Sequence, residues 1–353
     1  MLRINYGVPY KGSKNTIAEW VVSHVPKCDT FIDVFAGGCA ITDYVLRTGR
    51  AKHVIANDRD QMPVKCFEMA VRGEFANEDR WISREDFFAL KDTDPYARFC
   101  YSFGNNAKDY MYSTTIEPYK RAIHYVLFHD DWDDFDRLCT EVCDACHAAL
   151  DGVTDRKERR LRFQQAFTER VKELSGDDWF APIVQNNPLY RTVKTKKPKR
   201  YLSAGDGEIV KGMGALQSLE HLERLQSLER LERLQSLQSL ESFQPALETS
   251  NLDYRALTER ILTTDDAFVY CDPPYRGTQG YGEFDHDAFL DWALEIGRKC
   301  PILISEYAID HDGFVEVDAK QKQSNFSAVT SKIVTEKLYT VKGGVYATQN
   351  NIR

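Results

Sequence analysis

The chain has 353 residues and an apolar fraction of 42%, enough for one large α/β domain carrying an insertion or for two modest domains. Its formal charge of -8 argues against a uniformly basic nucleic-acid binder, although local patches rather than the sum govern phosphate contact. No run of about 18 uncharged apolar residues occurs and Met1-Leu2-Arg3-Ile4-Asn5 lacks a signal-peptide core, so a soluble cytoplasmic protein without membrane contact is expected.

In chain order, Tyr6-Gly7-Val8-Pro9-Tyr10-Lys11-Gly12-Ser13-Lys14-Asn15 reads as a basic lead-in loop before a helical pattern of Ile17, Trp20, Val21 and Val25. Two lysines beside a glycine suit a carboxylate or phosphate, and a plain loop fits the residues equally. The pattern GxxxxGK[ST] is absent, so nucleoside triphosphate hydrolysis has no support. Phe31-Ile32-Asp33-Val34-Phe35 then reads as a buried strand, Ala36-Gly37-Gly38-Cys39-Ala40 as a turn of small residues, and Tyr44, Val45 and Leu46 as the following helix. Small residues let a ligand approach the backbone and face the helix N-terminus. Twenty residues after Gly38, a second strand, Val54-Ile55-Ala56, ends in Asn57-Asp58 and carries a carboxylate suited to a ribose diol. Turn and spaced acid together point to an adenosyl-type ligand.

The middle of the chain is less regular. Cys139, Cys143, Cys146 and His147 contain Cys-x-x-Cys-His, but haem attachment would need export. Four close ligands admit a structural zinc, yet the spacing traces one helix face with Leu138, Val142 and Leu150, so a packing face without metal is expected. The nine cysteines, an odd number, suit reduced thiols better than disulfides. Arg191, Lys194, Lys196, Lys197, Lys199 and Arg200 form a dense basic segment between Tyr190 and Tyr201, able to follow a phosphate backbone or to serve as a solvated loop. The acidic excess lies elsewhere, notably from Asp130 to Asp136.

From Leu216 a leucine recurs every third residue through Leu219, Leu222, Leu225, Leu228, Leu231, Leu234, Leu237 and Leu240, with Phe243 next. Each step falls about 60° short of an α-helical turn, so the stripe winds around the axis. A strand would alternate the leucines between faces. A long 3₁₀ helix would align them but is rare. Residue propensities favour a helix. The segment is expected to be a tandem tripeptide insertion, with a partner-binding arm as the alternative.

Near the C-terminal third the apolar run Ala267-Phe268-Val269-Tyr270-Cys271 ends in Asp272-Pro273-Pro274-Tyr275. The prolines fix φ and donate no backbone hydrogen bond, so the strand leaves the sheet in a rigid turn whose carbonyls face outward. A planar amine needing two acceptors would fit between Asp272, the Pro273 carbonyl and Tyr275, and an ordinary strand-ending turn is the plain alternative.

Taken in order, the lead-in loop, Asp33-Val34-Phe35-Ala36-Gly37-Gly38, Asp58 and Asp272-Pro273-Pro274-Tyr275 resemble the Dam-like DNA adenine-N6 methyltransferases of phages and bacteria. Phe284-Asp285-His286, the strand Ile302 to Tyr307 and Thr335-Glu336-Lys337-Leu338-Tyr339 add to the likeness, as do Tyr101-Ser102-Phe103-Gly104-Asn105-Asn106 with Asp109 and Tyr110 in the middle. The resemblance implies an α/β fold: a Rossmann-like class I S-adenosylmethionine-dependent methyltransferase sheet with an inserted, mainly helical target-recognition region. The catalytic domain is expected at 1–75 and 250–353, the target-recognition region at 76–210 and the leucine-rich insertion at 211–249. The resemblance puts Tyr10, Lys11 and Lys14 near the methionine moiety of S-adenosylmethionine, and Phe35, Gly37 and Gly38 at the cofactor turn. It puts Asp58 on the ribose, Asp253 and Tyr254 at the cofactor's adenine, and Asp272, Pro273, Pro274 and Tyr275 at the catalytic centre. Asn105, Asn106 and the basic segment are the expected contacts to double-stranded DNA, with the enzyme a monomer or a transient oligomer on it. Three readings stay open beside this one: a catalytically silent regulator using the leucine repeat, a cytosine amine methyltransferase, for which Ser is more usual than Asp272, and RNA as substrate.

Overall fold

The computed structural model describes residues 5–175, 225–276, 284–324 and 332–352. The basic residues from Arg191 to Arg200 and the leucines 216, 219 and 222 lie outside the described residues. The chain divides into two compact units. One comprises Met1–Asn77, Asp92–Phe99 and Arg233–Arg353, the other Glu78–Lys91 and Cys100–Glu232.

The first unit is built on a seven-stranded sheet, in the order β3-β2-β1-β4-β5-β7-β6. Its strands are β1 Cys28–Asp33, β2 Ala51–Asn57, β3 Leu247–Ser250, β4 Ala267–Cys271, β5 Ile302–Glu306, β6 Phe314–Ser324 and β7 Lys332–Val341. The first five run parallel, and β7 enters antiparallel to β5 and pairs with β6 as a hairpin. β4 and β5 are buried along their whole length, as apolar runs covered by helices on both faces should be. The helix Ala40–Thr48 connects β1 to β2, and His286–Gly297 connects β4 to β5. This is the expected Rossmann-like methyltransferase sheet with flanking helices.

Strand order reverses between β1 and β4, since β2 and β3 extend the sheet one way and β5 the other. In such sheets the ligand crevice opens at the carboxyl ends beside the reversal. Asp33 ends β1 and Cys271 ends β4, so the chain puts Val34-Phe35-Ala36-Gly37-Gly38 and Asp272-Pro273-Pro274-Tyr275 at that point.

The leucine repeat has an unexpected solution. An α-helix, Gln226–Ser236, runs directly into a ten-residue 3₁₀ helix, Leu237–Ala246, and then into β3. Leu225, Leu228, Leu231, Leu234, Leu237 and Leu240 are all at most 5% exposed, whereas Phe243 is 36% exposed. Period three drifts on the α-helix but matches three residues per turn on the 3₁₀ helix, so the change of helix type keeps the stripe inward.

The second unit is helical, with Glu117–His129, Asp133–Leu138, Cys143–Leu150 and Arg156–Ser175 as its main elements. Cys139 and Cys146 are buried, while His147 stacks on Trp132 and meets Asp136 at 3.0 Å. Among the described residues no group of three or more His, Cys, Asp or Glu is arranged to hold a metal ion. Nor, among them, is any helix long and apolar enough to cross a membrane.

Candidate active site

The carboxyl edge of the sheet is knitted together by one buried amide. Asn57, the last residue of β2, donates from Nδ2 to the carbonyls of Val34 and Leu252, both at 3.0 Å. Its Oδ1 accepts from Ser250 Oγ at 2.8 Å and from the Leu252 amide at 2.9 Å. The ends of β1, β2 and β3 are thereby locked to one another, and no local pattern in the sequence singles out Asn57.

The glycine turn is anchored from below and lined from above. The Ala36 amide donates to the Asn57 carbonyl at 2.8 Å, and the Gly37 amide donates to Asp58 Oδ2 at 2.8 Å. Asp58 Oδ1 accepts from the Asp60 amide at 2.8 Å. A Cβ on Gly38 would lie 2.5 Å from the Tyr10 Cβ, and one on Gly37, at φ +47°, would lie 3.0 Å from the Tyr10 ring. Only glycines let the lead-in loop lie so close. The Val8 amide, donating to the Gly38 carbonyl at 2.8 Å, fastens the two segments. Lys11 is exposed.

Phe35 is half-buried, its ring 5.7 Å from Tyr254, 5.8 Å from Phe284 and 5.6 Å from Phe289. Tyr254 follows Asp253, whose carboxylate accepts from the Arg255 amide and caps the short 3₁₀ helix Tyr254–Leu257. Tyr254 thus stands beside Phe35, with Asp253 next to it in the chain.

At the end of β4 the geometry departs from a simple acceptor turn. Lys14 is 7% exposed and its ammonium is 2.7 Å from Asp272 Oδ1 and 3.6 Å from Glu336 Oε1. Glu336, fully buried on β7, also meets Lys322 at 2.5 Å and accepts from the Tyr275 hydroxyl. The Lys14 ammonium lies 4.7 Å from the centre of the Tyr275 ring, which packs edge-on against Tyr307. Two cations and two carboxylates therefore neutralise one another around Tyr275. Burial pushes the Asp272 pKa up and Lys14 opposes it, leaving it raised. For Glu336 burial is outweighed by Lys14 and Lys322, and its pKa falls. Lys14 would be lowered by burial, but Asp272 and Glu336 raise it, so it remains a cation.

Lys14 therefore sits against Asp272, where the resemblance had put it with the cofactor's methionine moiety. Glu336 belongs to the likeness only as one residue of Thr335 to Tyr339, with no role attached. The period-two pattern of β7, with Glu336, Leu338 and Thr340 all at most 1% exposed, was the available signal for an inward carboxylate.

Three further acids surround the edge. Burial pushes Asp33 up to about 7, against the hydrogen bond from Thr42 and with help from Asp272 and Asp58. Asp58 rises to about 6, again chiefly through burial, and Glu306 at the end of β5 rises to about 7 for the same reason. Asp33 Oδ2 accepts from Thr42 Oγ1 at 2.8 Å, while among the described residues its buried Oδ1 has no hydrogen-bond partner. A buried, half-satisfied carboxylate beside other acids either holds a proton or gains by pairing with a cation.

Asn105 and Asn106 belong to the second unit. Asn106 holds its own loop, accepting from the Lys108 and Asp109 amides at 2.8 and 3.0 Å and donating to Asp109 Oδ2 at 2.7 Å. Asn105 adopts φ 56° at the end of the 3₁₀ turn Phe103–Asn105.

Residues 10–133 match the family model of the D12 class N6 adenine-specific DNA methyltransferases. The matched span takes in Tyr10, Lys14, the glycine turn, Asp58 and the loop at Asn105, and Asp272-Pro273-Pro274-Tyr275 lies beyond it. It is consistent with a Dam-like adenine methyltransferase and supports an adenine-specific DNA methyltransferase. No curated protein matches the chain.

Proposed function

Starting from that likeness to the D12 class, we propose that the protein transfers the methyl group of S-adenosylmethionine to the exocyclic N6 amine of an adenine flipped out of duplex DNA. The observation that carries this reading is the meeting of Asp272-Pro273-Pro274-Tyr275 with the glycine turn and Asp58 at the strand-order reversal. The residues present fit the cofactor. Asp58 suits a ribose diol, Phe35 and Tyr254 offer aromatic faces for its adenine, and the unpartnered Asp33 Oδ1 suits a cationic centre. When bound, the cofactor supplies an electrophilic methyl on a sulfonium that leaves as a neutral thioether.

The protein's own part is positioning and charge. The adenine amine is a poor nucleophile because its lone pair is delocalised into the ring. Asp272 accepts one N–H and the Pro273 carbonyl the other, which returns electron density to nitrogen. As the N–methyl bond forms, nitrogen gives up one proton, with Asp272 as acceptor and solvent as its outlet, since that side chain is 18% exposed. Burial raises the Asp272 pKa, and the Lys14 ion pair opposes that shift in favour of the carboxylate. Tyr275 compensates for stacking lost on flipping.

The leucines from 225 to 240, buried in the fold, favour the enzyme over the silent-regulator reading for that part of the repeat. The test is incubation with labelled S-adenosylmethionine and duplex DNA, single-stranded DNA or RNA, followed by identification of the methylated base. N6-methyladenine in duplex DNA is expected. Asp272→Ala should bind cofactor yet lose transfer by at least about a hundredfold. Unchanged activity of that variant would sink the catalytic assignment.

A further inference from the structure

The leucine repeat contains one residue whose position the methyltransferase reading does not use. Arg233 sends Nε to the Gly7 carbonyl at 2.7 Å and a terminal nitrogen to the Tyr6 carbonyl. Both acceptors lie in the lead-in loop, whose next residue, Val8, is bonded to the Gly38 carbonyl of the glycine turn.

The contact belongs to a closed circuit. The Gly7 amide donates to Asp43 Oδ2 at 2.7 Å, and Asp43, completely buried in the helix after the glycine turn, accepts from Arg47 Nε at 2.5 Å. Arg47 in turn donates to Ser239 Oγ at 3.1 Å, which returns the circuit to the repeat. Arg233 also helps hold the Asp43 carboxylate charged: burial raises its pKa, while Arg47, the Gly7 amide and Arg233 pull it down. Inside the circuit Gly7 has no room to adjust. It adopts φ +66°, and a Cβ there would come within 2.1 Å of the Gly38 carbonyl oxygen. Leu234, Leu237 and Leu240, each 0% exposed, fix the repeat on its own side.

We infer that Arg233 is a positioning residue for the S-adenosylmethionine site: the repeat acts as a clamp that sets the lead-in loop against the glycine turn. The inference rests on the cofactor reading above. A planar guanidinium can serve two neighbouring carbonyls at once, which a lysine ammonium on a flexible stem does poorly. The repeat's phase therefore carries information. Its triplets read Leu228-Glu229-Arg230, Leu231-Glu232-Arg233, Leu234-Gln235-Ser236, so a slip that brought the next triplet to the loop would offer Ser236, which cannot span both acceptors, while the opposite slip would offer Arg230.

The test is S-adenosylmethionine binding by calorimetry together with steady-state kinetics and thermal unfolding, for wild type, Arg233→Lys, Arg233→Met and Glu241→Gln. Glu241 is an exposed residue of the same repeat and serves as control. Removing the charge-assisted pair should raise the cofactor Kd and KM about tenfold or more in Arg233→Met, with Arg233→Lys between it and wild type and kcat at saturating cofactor within about twofold. Equal Kd values for wild type and both folded Arg233 variants would overturn the inference. So would a fall in kcat at unchanged cofactor KM. If Arg233→Met fails to fold, Arg233→Lys decides alone. Failure of wild type to bind S-adenosylmethionine would strike the cofactor reading instead.

Discussion

Asp272 and Lys14 lie 258 positions apart in the chain and 2.7 Å apart in the fold. Their pairing gives the Asp-Pro-Pro-Tyr turn a buried cation as partner, which Glu336 shares. Removing one member of a buried ion pair leaves an uncompensated charge and costs about 3–5 kcal/mol. Glu336→Gln should therefore lower unfolding free energy in urea by about 3 kcal/mol, Lys322 being partly exposed, and should slow methyl transfer more than it weakens cofactor binding. Asp33 gives a prediction of definite sign. Its folded pKa of about 7 lies above the usual carboxylate range, so the folded state holds the proton more tightly than the unfolded chain. That contribution to stability is complete at low pH and is lost as pH rises through 7. Asp33→Asn should accordingly be more stable relative to wild type at pH 8 than at pH 5, as read from urea midpoints. A cation bound beside Asp33 and Asp58 favours their ionised forms, so S-adenosylmethionine affinity should rise between about pH 5 and 8 with proton release detectable by calorimetry.

Among the elements, the two glycine-bearing segments differ in how legible they were. The turn after β1 was readable because strand, small residues and helix follow one another locally, and Asp58 because it directly follows the second strand. The role of Gly7 was not, since it depends on the Gly38 carbonyl 31 positions away. Gly7→Ala places a side chain at positive φ, costing about 1–2 kcal/mol before any clash. It should unfold earlier in urea and bind cofactor more weakly than wild type. The repeat was legible as helical but not as a packed element. A periodicity of three suits no single regular helix that proteins build at length, and the α-to-3₁₀ change at Leu237 reconciles it with burial. Leu234→Ala should cost about 2–5 kcal/mol, as for other fully buried leucines, and a cost below about 1 kcal/mol would show that the stripe is not core.

For the whole molecule, a net charge of -8 must be reconciled with the proposed polyanionic substrate. The dense basic segment from Arg191 to Arg200 is where the sequence concentrates phosphate-binding charge, and its role on DNA is a proposal drawn from sequence. Replacing Lys194, Lys196 and Lys197 by alanine should weaken duplex binding at all sequences and flatten the log-log salt dependence by roughly two to three, at about 0.9 for each phosphate no longer neutralised. An unchanged slope would move the DNA-binding surface elsewhere. What the amino-acid order determined by itself were features made by near neighbours: the buried apolar strands, the proline-locked turn, the glycine turn and the carboxylate that follows β2. Their physics is local, set by φ restriction, apolar runs and strand-end placement. The tertiary structure alone decided that Lys14 answers Asp272, that Glu336 shares it, that Asn57 ties three strand ends and that Arg233 holds the lead-in loop. Those pairings join distant parts of the chain, and only burial in one core, where each polar group must find a partner, selects them.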